Sequence, residues 1–197
     1  MKSEMVSEKG WDDLRRSIQL KAFLTEGPYK LSSGRTSDFF FYMKPVLNDG
    51  RDLHRIARIM LHRLPPETTL VGGLSLGSVP ISSTMIALNE DYHIVPHSLN
   101  GFWVRMEAKD HGLEGPAGQL EGLVTSKDKA VVVDDVTTTG SSVLRAVEAV
   151  RDRSARVLKV ITLVDRSEGA QQSIESKGIE FEAVLRLEDF ETDISSD

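Results

Sequence analysis

Apolar residues recur along this chain in two rhythms, one helical and one of short continuous runs. In WDDLRRSIQLKAFL, 11–24, Leu14, Ile18 and Ala22 share one stripe, which predicts an amphipathic helix ended by Gly27-Pro28. RDLHRIARIMLHRL, 51–64, predicts a second helix, stopped by Pro65-Pro66. Between them SSGRTSDFFFYMKPVL, 32–47, reads as a turn followed by an aromatic strand. TTLVGG, 68–73, reads as a short strand ending in glycines, with a small-residue helix over roughly 77–89 behind it. HIVP (93–96) and FWVRM (102–106) read as short strands. Three valines at 131–133 predict a buried parallel strand, followed by a helix to about residue 152. RVLKVITLVDR, 156–166, is another apolar strand; a short helix near 169–177 and the strand FEAVLRL, 181–187, follow.

Short apolar strands alternating with helices predict an α/β domain, with a mostly parallel central sheet flanked by helices. No repeat or linker divides the pattern, so residues 1–197 read as a single domain. Ligands of such sheets bind beyond the carboxyl ends of the strands. Gly72-Gly73, Asp134 and Asp165-Arg166 all fall there. The segment EAKDHGLEGPAGQLEG, 107–122, carries four glycines and a proline and reads as a mobile loop. The tail, 187–197, is acidic, and fraying is expected from Glu188 onward.

Composition narrows the function classes. Hydrophobic content of 40% and charged content of 27% suit an ordinary globular core. The absence of cysteine excludes disulfide scaffolds and thiolate metal sites. There is no apolar run of about 18 residues and no apolar signal core in MKSEMVSEKG, so a cytoplasmic protein is expected. A net charge of −6 argues against general nucleic-acid binding. Any anionic substrate then needs a local positive patch. His54, His62, His93 and His97 have no metal-ligand spacing and read as surface or structural.

The chemistry concentrates in VVVDDVTTTGSS, 131–142. Thr137, Thr138, Thr139, Gly140 and Ser141 form a turn at a helix N-terminus, which aims backbone N–H groups and hydroxyls at one anion. Asp134 and Asp135 beside that turn would repel a bare phosphate. The pairing makes sense if the carboxylates hold sugar hydroxyls or a metal while the loop holds the phosphate, as a ribose 5-phosphate requires. A capped strand–helix junction is the plainer alternative. No Walker A sequence occurs, and GGLSLG, 72–77, lacks the dinucleotide spacing. Arg105, Lys109 and His111 gather three potential cations within seven residues. Such a run is either a solvated loop or a basic cover for a departing anion.

The signature closely resembles the phosphoribosyl-diphosphate (PRPP) signature of the type I phosphoribosyltransferases. Four segments in order then resemble orotate phosphoribosyltransferase across nearly the whole chain: SSGRTSDFFF, GGLSLGSVPIS, VRMEAKDHG with LEG, and VDR at 164–166. The resemblance implies the type I fold, with a small N-terminal hood (1–48) and a mobile catalytic loop (104–121). It implies magnesium-dependent transfer of the phosphoribosyl group of PRPP to orotate, giving orotidine 5′-phosphate and pyrophosphate in de novo pyrimidine synthesis. By the same resemblance, Asp134 and Asp135 hold the ribose hydroxyls, partly through magnesium. Val136, Thr137, Thr138, Thr139, Gly140, Ser141 and Ser142 line the PRPP site, with Thr138 also near the base. Arg105, Lys109 and His111 act on the pyrophosphate, reaching the neighbouring subunit's site in a homodimer. Phe40 and Phe41 pack near the pyrimidine, and Arg166 meets the orotate carboxylate. On residue type alone, Phe39 to Phe41 equally suit a core, and Arg166 a surface ion pair.

The chain departs from the family pattern at three places. Met106 stands where lysine usually follows the loop arginine, and a thioether cannot donate to a phosphate. Ser32 and Gly77 stand where some members carry lysine, although serine and glycine forms are familiar there. Two rival expectations remain: transfer to another base, and a regulatory PRPP-binding protein with impaired catalysis.

Overall fold

Which stretches coil and which extend follows from where their apolar faces find cover. The computed structural model describes residues 8–30, 36–106 and 119–190. Helix α1 spans Glu8–Lys21 and ends earlier than its apolar spacing predicts. The reason is pairing: strands β1 (Phe23–Leu24), β2 (Tyr29–Lys30), β3 (Thr36–Ser37) and β4 (Phe40–Phe41) form two small antiparallel ribbons, β1 with β4 and β2 with β3. The single aromatic strand expected here is thus two short pairings, and Lys44–Leu47 coils as α2. Helix α3, Gly50–Leu61, starts at Asp49, whose carboxylate accepts from the backbone N–H groups of Arg51 (3.0 Å) and Asp52 (3.1 Å). Such a cap contributes about 1 kcal/mol. Buried Asp52 joins α3 to α1 by accepting from Ser17 Oγ (2.6 Å) and Lys21 Nζ (2.7 Å).

The central sheet uses β5 (Leu70–Leu74), β6 (Asn100–Val104), β7 (Leu120–Glu121), β8 (Lys129–Thr137), β9 (Arg156–Asp165) and β10 (Glu180–Arg186). Their order across the sheet is β10-β9-β8-β5-β6-β7. All neighbours run parallel except β7, which is antiparallel to β6. Helices α4 (Ser75–Tyr92), α5 (Ser141–Arg151) and α6 (Ala170–Glu175) follow β5, β8 and β9. This is the expected α/β arrangement.

Both faces of the sheet are buried, which explains why the central strands read as unbroken apolar runs. Val131, Val133, Ile161 and Leu163 meet Leu14, Ile18, Ile56 and Met85 on one face. Ala130, Val132 and Val160 meet Val143, Val147 and Ile174 on the other.

Two expectations fail. HIVP forms no strand, because the buried Asn89 side chain takes the hydrogen bonds a ladder would use. Its amide accepts from Val95 N and donates to the His97 carbonyl, each at 2.8 Å. Nor does the chain fray at Glu188. Leu187–Asp189 make a 3₁₀ turn, and Phe190 is buried against the rings of Phe23 (5.5 Å) and Phe41 (5.0 Å). Residues 191–197 lie outside the described residues. No helix among the described residues is long and apolar enough to cross a membrane.

Phe190→Ala is expected to destabilise the protein by about 3–5 kcal/mol, as loss of a buried phenyl ring does. Urea unfolding checks it: the midpoint should fall with the slope unchanged. A midpoint shift within error would show that the ring contributes nothing to the core.

Candidate active site

The carboxyl edge of the sheet collects the predicted site residues because three neighbouring strands end there. Strand β8 carries Asp134 and Asp135 out of the core, and α5 begins four residues after β8 ends. The tight reversal needs Gly140, which caps α5 with φ of +82°, a conformation that side chains disfavour. Asp134, Val136, Thr137, Thr138, Gly140, Ser141 and Ser142 line one small cup at this edge. Thr139 is exposed above it, its hydroxyl donating to Ser141 Oγ at 3.4 Å.

Thr137 departs from the expected phosphate role in its side chain. Its hydroxyl points inward and donates to Thr162 Oγ1 on β9 (2.9 Å), so the hydroxyl cradle starts at Thr138. The Thr137 carbonyl accepts from the backbone N–H of Arg166 (2.9 Å), which fixes Arg166 beside the cup.

The two aspartates are electrostatically uncomfortable. Asp134 is buried, and Asp135 is half-buried beside it. Burial, and next the Asp135 charge, push the Asp134 carboxyl well above its ordinary value. Burial also raises Asp135, against hydrogen bonds that favour its charged form. Asp134 Oδ1 accepts from Asp135 N (3.1 Å), and Asp135 Oδ1 from Val136 N (2.9 Å). A polyol donating to these oxygens, or a cation, would relieve the strain. Gly77 belongs to the same corner: a Cβ there would overlap Asp135 Oδ1. The absence of a side chain at Gly77 is therefore what lets the carboxylate sit against the first turn of α4. Among the described residues no group of three or more acidic, His or Cys side chains could hold a metal ion. Two adjacent carboxylates would fill only part of a magnesium ion's shell, so such an ion would have to be held mainly by substrate oxygens.

Arg166 is buried at the end of β9. Its Nη2 pairs with Glu168 Oε1 (2.8 Å) and donates to Ser37 Oγ (3.2 Å), and its guanidinium lies 4.6 Å from the Phe39 ring centre. The plainer alternative for Arg166, a surface ion pair, gives way to a buried pair with Glu168, on the side of Ser37 and Phe39. The aromatic beside Arg166 is Phe39, not the expected pair. Phe41 is a core side chain, packed on Phe23 at 4.7 Å. Phe40 is half-buried, with its ring 5.9 Å from that of Tyr29. Alternation explains the split, since Phe39 and Phe41 share a strand face that Phe40 does not. Glu168 and Ser37 were missed by sequence reasoning, although Glu168 stands only two residues after Arg166.

Arg105 extends the β6–β7 pairing: its N–H donates to the Gln119 carbonyl (2.8 Å), and its Nε pairs with Glu121 (2.8 Å). Met106 is half-exposed and lines a cleft of about 490 Å³ with Leu76, Val79 and Trp103. Lys109, His111 and Ser32 lie outside the described residues.

Comparison with known proteins agrees with this geometry. A family model described as "Phosphoribosyl transferase domain" matches residues 67–191. The orotate phosphoribosyltransferase of Rhodopseudomonas palustris is 35% identical over 166 residues, covering 83% of this chain and 87% of the relative. That of Mycobacterium bovis is 34% identical over 176 residues, covering 86% and 90%. The Mycobacterium tuberculosis orotate phosphoribosyltransferase, solved in complex with PRPP, superposes with a TM-score of 0.70 at 29% identity, covering 91% of this chain and 97% of that one.

Asp134→Asn keeps an acceptor for Asp135 N–H but removes the buried charge. A carboxyl raised in the folded state binds more protons there than in the unfolded chain, so its contribution to stability falls as pH rises above the ordinary value of 3.8. The variant should therefore melt roughly 2–4 °C higher at neutral pH, with the gain shrinking toward acid. Thermal melts across pH read this directly; a gain that grows toward acid would contradict the burial argument.

Proposed function

This chain belongs to the orotate phosphoribosyltransferases, within the phosphoribosyl transferase family, and from that premise we propose how its residues transfer the phosphoribosyl group of PRPP to orotate. The products are orotidine 5′-phosphate and pyrophosphate. The carrying observation is the pairing, at one sheet edge, of a buried two-carboxylate corner with a hydroxyl-lined helix N-terminus.

In this reading the turn from Thr138 to Ser142 binds the 5-phosphate through hydroxyls and backbone N–H groups. Asp134 and Asp135 accept from the ribose hydroxyls, which holds the anomeric carbon in place. The bond from that carbon to the diphosphate oxygen breaks, its electron pair staying on pyrophosphate, as the bond to the pyrimidine nitrogen forms, and the nitrogen's proton passes to the departing pyrophosphate or to solvent. Positive charge grows on the ribose ring and negative charge on pyrophosphate. Asp134 and Asp135 would be the protein donors for magnesium, which when bound would add positive charge beside the leaving group. Arg105, Lys109 and His111 complete that neutralisation. Arg166 receives the orotate carboxylate as a planar fork, supported by Ser37 and by the face of Phe39. Because Glu168 already pairs with Arg166, the substrate carboxylate must share or replace it.

A homodimer, with each loop acting at its neighbour's site, is part of the proposal. The exposed apolar side chain of Leu76 on α4 supports it, since such a side chain favours cover. A cytoplasmic setting suits the cysteine-free composition.

Loss of orotate absorbance with PRPP and magnesium tests the activity, and a chelator should abolish it. Arg166→Gln is expected to raise KM for orotate by about tenfold or more, the worth of a charged hydrogen bond, with KM for PRPP unchanged. An equal rise in both constants would remove the carboxylate role. Lys109→Ala should lower turnover far more than PRPP affinity; small, equal losses would remove its leaving-group role.

A further inference from the structure

We propose that Arg145 supplies, from helix α5, the pyrophosphate-side cation that the catalytic loop lacks at position 106. The inference rests on the reaction given above. Arg145 Nη2 donates to the Met106 carbonyl at 2.9 Å, and its Nη1 lies 3.8 Å from the Met106 sulfur. The guanidinium therefore covers both the backbone and the side chain of residue 106.

Three features turn this contact into a functional one. Position 106 holds a side chain that cannot donate to a phosphate, where the family pattern has a lysine. Arg145 is exposed, and no carboxylate pairs with it among the described residues, whereas Arg105 is matched by Glu121. Its charge is thus available to a substrate. Its location is also right. Arg145 lies one helical turn beyond Ser141 of the phosphate cup. Met106 borders the same cleft as Leu76 in the first turn of α4, and the parallel register sets Val104 of β6 beside Leu74 of β5. A guanidinium there has donors to spare for pyrophosphate oxygens and presents them as a fork. Helix α5 thus serves twice, with its N-terminus toward the 5-phosphate and Arg145 toward the leaving group.

The plainer reading is a tether that only holds the end of β6 through the Met106 carbonyl. A charge-swap series separates the two. Arg145→Ala, Met106→Lys and the double variant are assayed in both directions, with KM for PRPP, orotate and pyrophosphate read separately. Circular dichroism confirms folding, and Arg145 is exposed, so the fold should survive. Arg145→Ala is expected to raise KM for pyrophosphate and PRPP by about tenfold, leaving KM for orotate unchanged. Met106→Lys in the Arg145→Ala background should restore most of that loss, because it returns the charge without the tether. No change in Arg145→Ala, or no recovery in the double variant, would overturn the proposal.

Titration calorimetry with pyrophosphate and magnesium gives a second readout that needs no turnover. Should the wild-type chain not consume orotate, the reaction assigned above fails. Arg145 is then still judged by whether Arg145→Ala weakens pyrophosphate binding about tenfold and Met106→Lys recovers it. Equal binding by wild type and Arg145→Ala would reject it.

Discussion

A strand buried on both faces must still deliver two carboxylates to water, and that conflict at the end of β8 organises this molecule. Val131 and Val133 belong to one core, Ala130 and Val132 to the other. This double anchorage is what holds Asp134 in a setting that disfavours its charge. Charge repulsion and desolvation there are not defects to be relaxed. They store a demand for hydrogen-bond donors or cations. Gly77 and Gly140 are the local concessions that make the corner sterically feasible.

Electrostatics around the edge divide into matched and unmatched charges. Arg105 and Arg166 each have a carboxylate partner, at 2.8 Å in both cases. Matched cations in a partly dry site hold their geometry and exchange partners when a stronger anion arrives. Arg145, held by a carbonyl and a sulfur, lends field without surrendering an ion pair. A net-negative protein can therefore still present a local positive charge at this corner.

The fold was legible where burial sets a period over many residues. The helix read at 51–64 appears at Gly50–Leu61, and the valine run becomes β8, because each pattern is long enough to be decided locally. Reading failed where one distant or polar side chain decides. Asn89 unmakes the strand at 93–96, and Phe190 converts a tail into core. In the site, the Asp-Asp-hydroxyl signature was readable because chemistry and spacing coincide within a dozen residues. The inward turn of Thr137 depends on Thr162, and the nearness of Arg145 to Met106 on how α5 crosses the sheet. Neither partner is close in sequence, so no local pattern announces them.

The aromatic cluster of Phe23, Phe41 and Phe190 has a consequence for the order of assembly. Phe190 is separated from the other two rings by nearly the whole chain, and every strand of the central sheet is made before it. The β8 corner can therefore form from nearer contacts before this cluster receives its last ring. Ser37 and Phe39, which face Arg166, lie close in sequence to Phe41 of that cluster. The packing around Arg166 thus depends on rings brought together from distant parts of the sequence, a contact of high order that closes after the local pairings of the sheet.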